Sequence, residues 1–164
     1  MRLLLDTHIA LWALTDDPRL SARARSLIED PDNQVLVSAA TVWEIAIKHA
    51  LARTDMPISG AEALDWFRLA GYDLLPISPE HAAAVERLPN HHRDPFDRLL
   101  VAQAQTEPLR LLRRDPLVIR YGEAVLPFER RPASLPKRVP GRRWSRKLDL
   151  RRRGREAGAS RPAE

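Results

Sequence analysis

Short apolar runs alternate with helical patterns from the first residues to about Phe128. Arg2 to Leu5 reads as a short buried strand closed by Asp6. Gln34 to Val37, Tyr72 to Leu75 and Leu109 to Leu112 read as further strands, and Ala124 to Leu126 as a candidate edge strand. Between them, apolar positions at helical spacing predict helices over Thr7 to Leu14, from a Ser21 cap through Ile28, and from a Ser38 cap to about Ala52. Another spans Ser59 to Ala70 and is closed by Gly71. Ser78-Pro79-Glu80, Asp94-Pro95 and Asp115-Pro116 each join a cap residue to a proline and open three more. Strands separated by helices imply an α/β fold with a mainly parallel sheet covered on both faces, and such sheets carry their sites outside the carboxyl ends of the strands.

Charge divides the chain. Up to Phe128 there are 14 Lys+Arg against 18 Asp+Glu, a net −4; from Glu129 onward there are 13 against 4, a net +9. The expected domains are thus an acidic body over residues 1–128 and a basic, disordered tail over 129–164, in which Pro132, Pro136 and Pro140 break any early helix. A basic tail is a usual footprint of nucleic-acid contact; a merely solvated tail explains it as well. Cysteine is absent, which removes disulfides, thiolate nucleophiles and sulfur-rich zinc sites and fits a reducing cytoplasm. No apolar run is long enough to span a bilayer, and the opening Met-Arg-Leu-Leu-Leu is too short for a signal-peptide core.

Four acids stand out. Asp6 and Asp115 directly follow predicted strands, Asp97 lies in the first turn of a helix, and Glu44 sits mid-helix. Three have simple alternative roles: Asp6 and Asp115 as helix caps, Asp97 as a first-turn acid reciprocating a cap at Asp94. Glu44 is aligned at helical spacing with Ala40, Ile47 and Leu51, whereas Thr41, Lys48 and Ala52 lie nearer the other face. A carboxylate on a core-facing stripe requires a cation, a metal or donors; the plain alternative is a buried ion pair with an arginine. Carboxylates gathered in one site repel one another and would protonate without a cation, and Mg²⁺ or Mn²⁺ suits an all-oxygen set. Other chemistries find no support: G-x-S-x-G, P-loop, G-x-G-x-x-G and H-E-x-x-H motifs are all missing.

Leu3-Leu4-Leu5-Asp6-Thr7-His8, Ser38-Ala39-Ala40-Thr41-Val42-Trp43-Glu44-Ile45-Ala46-Ile47-Lys48 and His92-Arg93-Asp94-Pro95-Phe96-Asp97-Arg98-Leu99-Leu100-Val101-Ala102-Gln103-Ala104 together resemble the PIN domain in its VapC toxin branch. The resemblance covers about Met1 to Leu126. It implies a three-layer α/β/α fold with four to five strands, and a Mg²⁺-dependent endoribonuclease of a toxin–antitoxin pair that cleaves RNA by metal-activated water. Asp6 and Asp97 match the direct metal ligands, with Glu44 and Asp115 acting directly or through water and Asp94 as a reserve acid. Lys48, Arg93 and Arg98 are candidate RNA contacts. The implied partners are RNA, with transfer RNA a family-level target, an antitoxin that blocks the site with a basic side chain, and a second copy in a homodimer. One departure is specific: Arg113 stands where the family has a threonine two residues before the fourth acid. Arg113 is left to pair with Asp6 or Asp115 and compete with metal, or to contact phosphate. The alternative function is therefore a catalytically impaired PIN fold that binds RNA.

Overall fold

The computed structural model describes residues 1–53, 56, 58–113 and 120–127. The helix expected at Asp115-Pro116, Asp115 itself and the 129–164 tail lie outside the described residues. The elements run β1 (Arg2–Leu5), α1 (Thr7–Thr15), α2 (Ala22–Glu29), β2 (Gln34–Ser38), α3 (Ala39–Ala50), α4 (Gly60–Ala70), β3 (Asp73–Leu75), α5 (Pro79–Ala84), a 3₁₀ turn (Val85–Arg87), α6 (Pro95–Thr106), β4 (Arg110–Arg113) and β5 (Val125–Pro127).

Local chemistry sets most of these boundaries. Ser21, Ser38, Ser59 and Ser78 each accept a hydrogen bond from a first-turn backbone N–H, and Glu62 completes a capping box with Ser59. Asp94 accepts from the backbone N–H groups of Phe96 and Asp97, with Pro95 at the first helical position. Gly71 closes α4 at φ 76°, a left-handed conformation in which a Cβ is strained. α3 stops two residues short of the expected Ala52, which turns out of the helix at φ 53°.

All strand pairings are parallel, in the order β3-β2-β1-β4-β5. Strand alternation sends side chains to two cores. Leu5, Val35, Val37 and Leu112 face α1, α2 and α4, packing with Ile9, Ala24, Ala63 and Phe67. Leu4, Leu36, Leu111 and Val125 face α5 and α6, packing with Ala84, Leu100 and Val101. Helices therefore cover both faces of one sheet, the α/β arrangement the alternation of elements predicts. The chain builds outward from β1 in one direction and resumes from β4 in the other, so the crevice between the carboxyl ends of β1 and β4 is the switch point of the sheet.

Candidate active site

β1 delivers Asp6 to that crevice. Its backbone N–H donates to the Leu112 carbonyl at 3.2 Å, which fixes the end of β1 against the end of β4. Asp6 opens α1, yet its side chain makes no capping hydrogen bond. The capping role open to it from sequence is not taken; the carboxylate faces Arg113 instead, with Oδ1 at 3.3 Å from Nη1.

Arg113 ends β4 on the same strand face as Leu111, the face covered by α6. There it meets Asp97 in a two-pronged ion pair: Nη1 donates to Oδ1, and Nη2 to Oδ2 at 2.7 Å. Asp94 caps α6 as expected, but Asp97 does not reciprocate, because both of its oxygens are taken by the guanidinium at the end of β4. Nδ1 of His92 lies 3.0 Å from Asp97 Oδ2 and also accepts from the Asp94 N–H at 3.2 Å. Burial raises the Asp6 and Asp97 carboxyls above the ordinary range, and the Arg113 guanidinium opposes that rise in both.

Glu44 is only 5% exposed, but its stripe differs from the one read in the sequence. Ile47 is 36% and Leu51 70% exposed, whereas Thr41, Glu44 and Ile45 are buried and Lys48 partly so. The buried stripe of α3 thus includes the flank assigned to the outer face, and it is partly polar. Glu44 accepts a 2.6 Å hydrogen bond from the Thr7 hydroxyl and pairs with Lys48 one turn on. The buried ion pair named as the plain alternative does form, with a lysine in place of an arginine. Thr7 was not singled out by sequence reasoning, although its place directly after Asp6 was a usable signal.

Of the candidate RNA contacts, Arg93 is exposed in the loop before α6 and Lys48 is tied to Glu44. The Arg98 guanidinium donates to the carbonyls of Val85, Leu88 and Pro89 and holds the 3₁₀ turn. Reasoning from sequence also missed a buried polar cluster: Ser38 donates to Gln103 Oε1 at 2.6 Å, and Gln103 Nε2 donates to the Pro76 carbonyl at 3.1 Å.

Asp6, Asp97 and Glu44 thus gather near the ends of β1 and β4, with Arg113 between the two aspartates. Among the described residues no group of three or more histidines or acids is placed to hold a metal ion. The donor chemistry nonetheless suits a hard divalent cation: two buried carboxylates from different elements already share one positive charge.

A parallel α/β sheet with an acidic crevice at its switch point defines an acid-centred α/β protein, and similarity to known proteins places it more closely. The PIN domain family matches residues 3–123, and the chain belongs to that family. It is 32% identical over 115 residues to ribonuclease VapC22 of Mycobacterium tuberculosis, covering 68% of this chain and 85% of that protein. To ribonuclease VapC16 of the same organism it is 37% identical over 75 residues, and it spans about half (52%) of that relative's length. Among solved structures it resembles a chain of the VapBC2 structure from Rickettsia felis, bound to a promoter DNA fragment, with a TM-score of 0.57 and 16% identity over 78% of this chain and 98% of that one. VapBC-1 from nontypeable Haemophilus influenzae gives 0.52 and 16% over 74% and 92%. At such identities these structures establish the fold alone.

Proposed function

We propose that this chain is an endoribonuclease toxin of the VapC type, using Mg²⁺ or Mn²⁺ at the switch-point crevice to hydrolyse RNA. The observation that carries the reading is the sharing of one buried positive charge by Asp6 and Asp97. Those two would hold the ion, with Glu44 and Asp115 directly or through water. When bound, the ion supplies Lewis acidity at a phosphate oxygen and makes water acidic enough to attack near neutral pH. The chain's own residues prepare the site. Thr7 and Lys48 fix the orientation of Glu44, burial excludes competing solvent from Asp97, and Arg93 offers an exposed cation to the RNA backbone.

Similarity to VapC ribonucleases supports the RNA substrate, with transfer RNA as the first class to try, and the likeness of fold to chains of VapBC structures supports an antitoxin partner. An apolar groove of ≈ 710 Å³ beside the 55%-exposed Trp43, lined by Val42, Ala46 and Leu64, supports a partner surface for antitoxin or a second copy. Among the described residues no helix is long and apolar enough to cross a membrane.

The test is cleavage of a transfer-RNA pool with Mg²⁺ or Mn²⁺ and with chelator, together with toxicity on expression. Cleavage should require the metal, and Asp6→Asn should lose both cleavage and toxicity. Cleavage undiminished by chelator sinks the metal, and an Asp6→Asn chain as active as wild type sinks the site. A second reading, an RNA-binding PIN fold without turnover, is favoured by the Arg113 grip on Asp97; RNA retention without cleavage at any Mg²⁺ concentration would establish it.

A further inference from the structure

Three acids of the crevice, Asp6, Asp97 and Glu44, are matched by cations of the chain itself. Arg113 covers both oxygens of Asp97 and reaches Asp6, and Lys48 covers Glu44. Three carboxylates therefore face two fixed cations, which offset much of the negative charge that would attract a divalent ion. The guanidinium is no loose surface arm. It is buried, and the pairing of Leu5 with Leu112 sets its backbone beside Asp6. A divalent ion coordinated by Asp97 would have to share an oxygen that Arg113 holds, and two cations on one carboxylate repel strongly in a buried site.

We infer that Arg113 is the resident counter-cation of this crevice, seated between Asp6 and Asp97 when metal is absent, and that a divalent ion enters only as the guanidinium leaves. The inference rests on reading the crevice as a metal centre and adds a gate built into the chain. It follows that the fold does not depend on metal and that the ion binds weakly, in exchange for an internal ion pair.

The experiment is Mn²⁺ binding to the full chain, read from the electron paramagnetic resonance of free Mn²⁺, for wild type and Arg113→Thr. Removing the guanidinium should tighten Mn²⁺ binding by at least about tenfold, given the strength of charge-assisted forked pairs. Chelator should leave the wild-type melting temperature unchanged and lower that of Arg113→Thr, with Mn²⁺ restoring it. Equal Mn²⁺ affinity in the two chains overturns the gate while leaving the metal reading intact; no Mn²⁺ binding by either overturns both. Wild type alone decides if the variant does not fold: on Mg²⁺ titration followed by NMR, the Arg113 guanidinium protons should lose their exchange protection as the ion binds. Binding with those signals unchanged overturns the gate.

Discussion

Arg113 and Asp97 lie 16 residues apart in sequence and meet as a buried, two-pronged ion pair at the carboxyl end of β4. The pair joins α6 to the sheet and brings Asp6, 107 residues from Arg113, into the same charge cluster. One guanidinium thereby organises the crevice and occupies its centre.

Removing one member of the pair takes from the other its two-pronged partner. Asp97→Asn should lower stability by about 3–5 kcal/mol in chelator, the usual cost of breaking a buried ion pair. Adding Arg113→Gln should cost less than the sum of the two single changes, with a coupling of roughly 2 kcal/mol. Urea denaturation of the four chains measures this; additive losses would mean that the pair contributes nothing beyond its separate side chains.

Thr7 fixes Glu44 through a buried 2.6 Å hydrogen bond to a charged acceptor. Thr7→Val, which keeps the shape, should cost about 1.5–3 kcal/mol, and Thr7→Ser much less. Denaturant midpoints compare them, and a larger loss from Thr7→Ser than from Thr7→Val would point to the methyl group rather than the hydroxyl.

Glu44→Gln should preserve the fold, because the amide still accepts from Thr7, while releasing Lys48 from its partner. Under the proposed function, cleavage should fall sharply with RNA affinity little changed. Full cleavage by this variant would remove Glu44 from the active machinery.

Gln103 ties Ser38 at the end of β2 to the Pro76 carbonyl after β3. Gln103→Leu should destabilise by about 1–3 kcal/mol for each polar group it strands, with Gln103→Glu the milder change at low pH. Thermal melts across pH test this; a Leu variant as stable as wild type would show that the partners find replacement bonds.

Gly60 sits where α4 crosses α3, and a Cβ there would lie 2.8 Å from the Ala46 Cβ and 3.1 Å from the Val42 carbonyl. Gly60→Ala should cost about 1–3 kcal/mol by overpacking, despite alanine's better helix propensity. A stabilised variant would mean that the two helices separate at no cost.

The sequence by itself determined the order of strands and helices, the serine and aspartate caps, the turn at Gly71 and the delivery of Asp6 and Arg113 to strand ends. These follow from interactions a few residues apart and from the repeats of strand and helix, both written directly in the chain. Tertiary structure alone decided which partner each acid takes. Asp6 and Asp97 had local caps open to them and instead share Arg113, because the order β3-β2-β1-β4-β5 sets β4 beside β1 and strand alternation turns Arg113 toward α6. The buried stripe of α3 likewise depended on where the helix packs: rotation toward the crevice buried Thr41 and Glu44 and left Leu51 in solvent. An ion pair spanning 107 residues is set by register and layer, and no window of sequence contains it.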